Sequence, residues 1–84
     1  MKLRRDGVTW QQVDGHVVVL DLRSSLYLEL NPAGSLLWNA LLDGAPDDQL
    51  PGVLVDAYGL PAETAQRDVE AFLEQLRQQQ LLEA

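Results

Sequence analysis

The chain is patterned for strands up to about residue 30 and for helices beyond it. Val8-Thr9-Trp10-Gln11-Gln12-Val13 is rich in β-branched and aromatic residues, and Asp14-Gly15 separates it from His16-Val17-Val18-Val19-Leu20-Asp21-Leu22. Asp-Gly between two such runs signals a hairpin, because a type I′ turn requires positive φ at both central residues. After Arg23-Ser24-Ser25, the run Leu26-Tyr27-Leu28-Glu29-Leu30 puts three leucines on one face at strand period and Tyr27 and Glu29 on the other. Strands are expected at about 8–13, 16–22 and 26–30, as a three-stranded antiparallel meander. Its middle strand has two neighbours, so the third keeps one unpaired edge unless a later element covers it.

Asn31-Pro32 marks the change to helix: Asn is a good N-cap, and Pro suits the first helical position, where a missing N–H costs nothing. The first helix is expected over about 32–43, with Leu36, Leu37, Leu41 and Leu42 forming a broad apolar face beside Trp38, and Gly44 ending it. A second helix is expected over about 47–58, with Asp47 and Asp48 at its start, Pro51 in its first turn and Gly59 as its stop. The third, over about 62–80, carries the clearest periodicity. Ala65, Val69, Phe72, Leu73, Leu76 and Gln80 fall within about a 100° arc. One flank of that stripe holds Asp68, Gln75 and Gln79, the other Gln66, Glu70 and Arg77, and either could border a groove.

At 84 residues the chain is expected to form one domain spanning 1–84. A domain of this size buries only about 60–65% of its unfolded surface and has little apolar area to spare for a deep substrate cavity. Six basic residues against thirteen acidic ones give a net charge of −7, which repels a polyanion, so nucleic acid is not expected as a partner. The charge is uneven. Residues 1–25 carry four basic and three acidic groups, a net +1, whereas the remainder carries two against ten, a net −8. The absence of cysteine excludes disulfides, thiolate metal sites and a thiol nucleophile. No apolar run has the length of a signal peptide's core or a membrane span, so a cytoplasmic location and no membrane partner are expected.

Catalysis finds little to use. His16 is the single histidine, and no Gly-rich phosphate loop or metal-ligand spacing is present, so neither enzymatic activity nor a cofactor or metal is expected. Asp47 and Asp48 have a sufficient role at a helix start. Trp38 and Phe72 sit on helical stripes and are expected in the core. The feature left over is the edge of Leu26 to Leu30, which contains neither Lys nor Pro, the usual devices against strand pairing. Such an edge is either covered, by the third helix, the N-terminal arm or a second copy of the chain, or used. In use, it takes an extended peptide as a further strand through main-chain hydrogen bonds.

Three strands followed by three helices, with Leu30-Asn31-Pro32-Ala33-Gly34 leading into Leu37-Trp38 and Leu42-Asp43-Gly44, then Tyr58 and Asp68-Val69, Phe72-Leu73 and Leu76, resemble the PqqD-like family over nearly the whole chain. Pro51 and Gly52 are a local departure from its pattern. The resemblance implies an α+β, winged helix-turn-helix-like domain of the kind called a RiPP recognition element, which binds the leader of a ribosomally made precursor peptide. Its short form resembles the stand-alone recognition proteins of lasso-peptide pathways. The implied partners are the precursor leader, a cysteine-type leader peptidase and an ATP-dependent cyclase.

The resemblance further implies that the leader lies antiparallel along the third strand, in the cleft between it and the third helix. Carried onto this sequence, the implied peptide-binding residues are Leu26, Tyr27, Leu28, Glu29 and Leu30 with Asp68, Val69, Phe72, Gln75 and Leu76. Leu26, Leu28, Phe72 and Leu76 are the candidates to line a slot for the Tyr-x-x-Pro element of lasso leaders. Two other readings stand beside this one: a peptide chaperone for a radical-SAM maturation pathway, such as that of a quinone cofactor, and a winged-helix DNA-binding protein. Against the last, the third helix carries Glu63, Asp68, Glu70 and Glu74 with only Arg67 and Arg77, the wrong sign for phosphate.

Overall fold

The structure is a computed structural model describing residues 2–83. Three strands come first, β1 (Val8–Val13), β2 (His16–Asp21) and β3 (Leu26–Glu29), followed by α1 (Pro32–Leu42), α2 (Leu50–Tyr58) and α3 (Ala62–Gln78). The sheet is antiparallel in the order β1-β2-β3. Asp14 and Gly15 have φ of 51° and 85°, the paired positive values that the Asp-Gly turn requires. Strand alternation then sends Val8, Val17 and Val19 inward, where they are buried, and leaves Leu20 and Tyr27 paired on the outer face.

The Asn31 side chain accepts the Gly34 N–H at 2.7 Å and caps α1, with Pro32 at the helix start. Behind that cap, Leu37, Trp38 and Leu41 reach the core. Trp38 is fully buried and meets Trp10 edge-on, with ring centroids 5.8 Å apart. Leu50 and Leu54 of α2 and Ala65, Val69, Phe72 and Leu76 of α3 complete the same core. Removing a large apolar side chain of this kind from water stabilises by about 1.5–3 kcal/mol each. Among the described residues no helix is long and apolar enough to cross a membrane.

The boundaries depart from the sequence pattern in places, each for a local reason. Leu22 leaves β2: its N–H donates to the Gly7 carbonyl at 2.7 Å and its side chain is exposed. Leu30 falls outside β3, yet its N–H still donates to the Val17 carbonyl at 2.9 Å and extends the ladder by one bond. Asp47–Gln49 form a separate 3₁₀ turn, and α2 begins only at Leu50, because Pro51 fits a first turn and not a helix interior. Leu36 points outward from α1, exposed beside its buried neighbours. The third helix stops at Gln78, so Gln80 lies beyond it with φ of 59° and is exposed, not part of the apolar stripe.

The two ends of the chain meet. Leu3 and Leu82 form an antiparallel bridge, the Arg4 N–H donates to the Leu81 carbonyl at 2.7 Å, and the Glu83 N–H donates to the Lys2 carbonyl at 2.8 Å. Leu3 and Leu81 are buried beneath this clasp.

Candidate functional site

The edge of β3 stays open. It pairs with β2 on one side, and on the other it faces α3 without packing closely against it, since α3 rests chiefly on α2. Between them lies a cleft of about 420 Å³. Its strand side is formed by Glu29, Leu30 and Asn31, its end by Ala33, Gly34 and Leu37 of α1, and its far side by Asp68, Ala71, Phe72 and Gln75 of α3, with Leu54 of α2 at the base. The four α3 residues follow i, i+3, i+4, i+7 spacing, so they form one helical face. The flank carrying Asp68 and Gln75 therefore borders the cleft, and the flank carrying Gln66 and Glu70 faces away.

Which backbone groups β3 offers follows from the register. In an antiparallel ladder, hydrogen-bonded and non-hydrogen-bonded pairs alternate. The bond from Leu30 N–H to Val17 makes that pair a bonded one, so Leu28 opposite Val19 and Leu26 opposite Asp21 bond to β2 as well. The N–H and C=O groups of Tyr27 and Glu29 consequently point to the open edge. The edge donors that an added strand can use belong to these two residues and not to Leu28.

The side chains sort differently from the sequence expectation. Phe72 is buried, yet its ring reaches the cleft. A Cβ placed on Gly34 would lie 3.3 Å from Phe72 Cε1, so the missing side chain at Gly34 lets α1 and α3 close on each other at this end. Leu26 and Leu28 are half-buried against the core, while Tyr27 is exposed on the outer sheet face. Glu29 turns its carboxylate toward the outer face of the sheet, 2.8 Å from His16 Nε2, so its backbone borders the cleft while its carboxylate sits beside His16. Val69 and Leu76 point into the core at 3% and 0% exposure. They hold α3 in place from beneath and have no surface to present to a ligand, contrary to the expectation that they line the site.

Residues that the sequence reading missed are Asn31, Ala33, Gly34, Leu37, Leu54 and Ala71. Ala71 carried one usable signal, its i+3 spacing from Asp68, but a small side chain attracts no chemical reading. The cleft thus combines unpaired backbone donors and acceptors, an aromatic and aliphatic floor, and one carboxylate, Asp68, on its far rim. It has no Lys, Arg or His among its lining residues. Among the described residues no group of three His, Asp or Glu side chains could hold a metal ion.

Two solved structures share this architecture over essentially the whole chain. One is TbiB1 in complex with the TbiA(beta) leader peptide, 31% identical, superposing with a TM-score of 0.92 over 100% of this chain and 96% of that one. The other is lasso peptide synthetase B1 complexed with the leader peptide, 29% identical, with a TM-score of 0.87 over 99% of this chain and 96% of that one. Among curated proteins none matches significantly. The family described as coenzyme PQQ synthesis protein D (PqqD) matches residues 16–82, from the first residue of β2 to Leu82 of the terminal clasp. With that match covering most of the chain, and with the same strands and helices running in the same order as in the two B1 structures, this protein belongs to the PqqD family.

Proposed function

We propose that this protein is a non-catalytic adaptor that takes the leader of a ribosomally made precursor, of the lasso-peptide kind, as a fourth strand on β3. The observation that carries the reading is the open β3 edge flanking a cleft, in a chain that superposes at a TM-score of 0.92 on TbiB1 in complex with a leader peptide. The leader runs antiparallel to β3 and bonds to the outward backbone groups of Tyr27 and Glu29. Alternate side chains of the leader then face inward against Leu26, Leu28, Leu30 and Phe72, between the strand and the Asp68, Ala71 and Gln75 face of α3. Main-chain bonds supply sequence-tolerant affinity, and the shape of the cleft supplies selection.

Chemistry belongs to the partners in this reading: a cysteine-type leader peptidase and an ATP-dependent cyclase, working in the cytoplasm. Tethering the leader raises the effective concentration of the attached core peptide at their active sites, so modest affinity suffices. The family's description points to quinone-cofactor synthesis, but both B1 relatives align over the whole chain with bound leaders, which favours the lasso reading.

The test is a fluorescence-anisotropy titration of labelled leader peptides from lasso precursors, including any precursor found in the genome that carries this chain. The comparison variant is Ala71→Trp, which fills the cleft from an exposed position where the fold tolerates bulk. Saturable binding by the wild type and its loss in a folded Ala71→Trp protein are expected. Equal binding by both sinks the cleft, and no binding by the wild type sinks the adaptor reading.

A further inference from the structure

Away from the cleft lining, the start of β3 and the segment that follows α3 meet at one largely buried ion pair, Arg4 and Asp21. Asp21 is 2% exposed and lies opposite Leu26 in the β2–β3 register, at the start of the open strand. One of its carboxylate oxygens accepts the Arg23 backbone N–H at 3.0 Å, and the Ser24 side chain also bonds to the carboxylate. These contacts shape the turn from which β3 emerges, where Ser25 takes a positive φ of 58°. The other oxygen accepts from Arg4 Nη2. The same guanidinium donates through Nε to the Gln80 carbonyl at 2.8 Å, just past the end of α3, and through Nη1 to the Asp6 carbonyl at 2.7 Å. A planar fork with fixed donor directions can serve three acceptors at once, which an ammonium on a flexible stem cannot.

At the cleft itself, α1 and α3 are held together by the Gly34 and Phe72 contact. Between these two points β3 and α3 do not pack closely on each other. Buried Ala65, Val69, Phe72 and Leu76 seat α3 along its length, and just past Gln78 the chain is tied to the origin of β3 through Gln80, Arg4 and Asp21, beside the Arg4 N–H bond to the Leu81 carbonyl. We infer that Arg4 and Asp21 are positioning residues: their pair sets the spacing between β3 and α3, and thereby the width of the groove that receives an added strand. Neither residue touches the ligand in this scheme. The inference rests on the reading of the cleft as the leader site, and Arg4→Lys separates spacing from stability because it keeps a positive charge at Asp21 while giving up the fork.

The experiment combines two readouts. Because the chain has no cysteine, spin labels placed through Gln11→Cys on β1 and Gln78→Cys at the end of α3 report the sheet-to-helix distance in the otherwise intact protein. In the Arg4→Lys background the distance distribution should widen while the thermal midpoint stays close to the wild type. Affinity for the labelled leader should fall, because part of the binding free energy must then restore the spacing between β3 and α3. Arg4→Met, which removes the charge as well, should show the same widening, with affinity corrected for its folded fraction. An unchanged distance overturns the inference, whether or not affinity falls, and so does an affinity loss that merely tracks unfolding. If the wild type binds no leader, the reading of the cleft fails, while the label distance still decides whether Arg4 sets the spacing.

Discussion

Proline at two adjacent positions of β3 should have opposite consequences. Leu28 donates its N–H inward to β2, as the register requires once Leu30 is bonded to Val17, whereas Tyr27 directs its N–H to the open edge. Leu28→Pro therefore deletes a ladder bond and leaves the Val19 carbonyl, in the middle strand, without its partner. An orphaned buried acceptor costs about 1–3 kcal/mol, a large share of the stability of so small a domain. Tyr27→Pro removes a donor that only water or an added strand can use, from a residue 64% exposed, so its folding cost should be small. For the leader it removes one main-chain bond of about 0.5–1.5 kcal/mol, roughly 2- to 13-fold in affinity, and the pyrrolidine ring adds an obstruction along the edge. Urea unfolding measures the first effect and leader anisotropy the second. The expected pattern is a lowered urea midpoint for Leu28→Pro and weakened binding with a near-native midpoint for Tyr27→Pro. A Tyr27→Pro protein that binds like the wild type would refute use of the edge, and one that unfolds while Leu28→Pro does not would refute the register.

Asn31→Ala should lose the cap bond to Gly34 and destabilise by about 1 kcal/mol, which a thermal melt reads as roughly 4–8 °C in a domain of this size. Trp38→Ala opens a cavity at the centre of the core and should cost about 3–5 kcal/mol, enough to leave much of the chain unfolded by far-UV circular dichroism at room temperature. Burial works against the charge of Asp21, but the Arg23 amide, Arg4 and the Ser24 side chain outweigh it and hold the carboxyl below its usual range. A carboxyl depressed in the folded state stabilises at every pH above its unfolded value and ceases to do so as pH falls through the folded one. Urea midpoints measured from pH 6 down to pH 2 should therefore drop along an acid limb that Asp21→Asn flattens. A variant with an unaltered limb would assign that loss to other carboxylates.

Where local chemistry decides structure, the sequence is readable. Asp14-Gly15 demands a tight hairpin, Asn31-Pro32 demands a helix start, and both are present at those residues. The unpaired edge of β3 was legible as one of the two outer edges of a three-stranded meander, but whether a later element covered it was not. Decisions that depend on residues distant in the chain were not legible. Which flank of α3 borders the cleft is fixed by how α2 seats the helix. The direction of the β3 amides is fixed by a single bond between Leu30 and Val17, and a one-residue slip would reverse it. Arg4 and Asp21 are 17 residues apart and join only when the N-terminal arm folds across the sheet. Val69 and Leu76 share the apolar stripe with Phe72, and periodicity alone cannot tell which member of a stripe lies at its margin.

The clasp between Leu3 and Leu82 also constrains the order in which the molecule assembles. Bringing those residues together in an unstructured chain would close a loop of nearly the full length, an entropic cost that two backbone bonds and one leucine pair cannot offset alone. The hairpin and the helix pairs bring the ends close by local steps, and the clasp then closes over a chain already ordered between them. It is a late fastening and not a nucleus, and as the last contact formed it is also placed to be among the first to open.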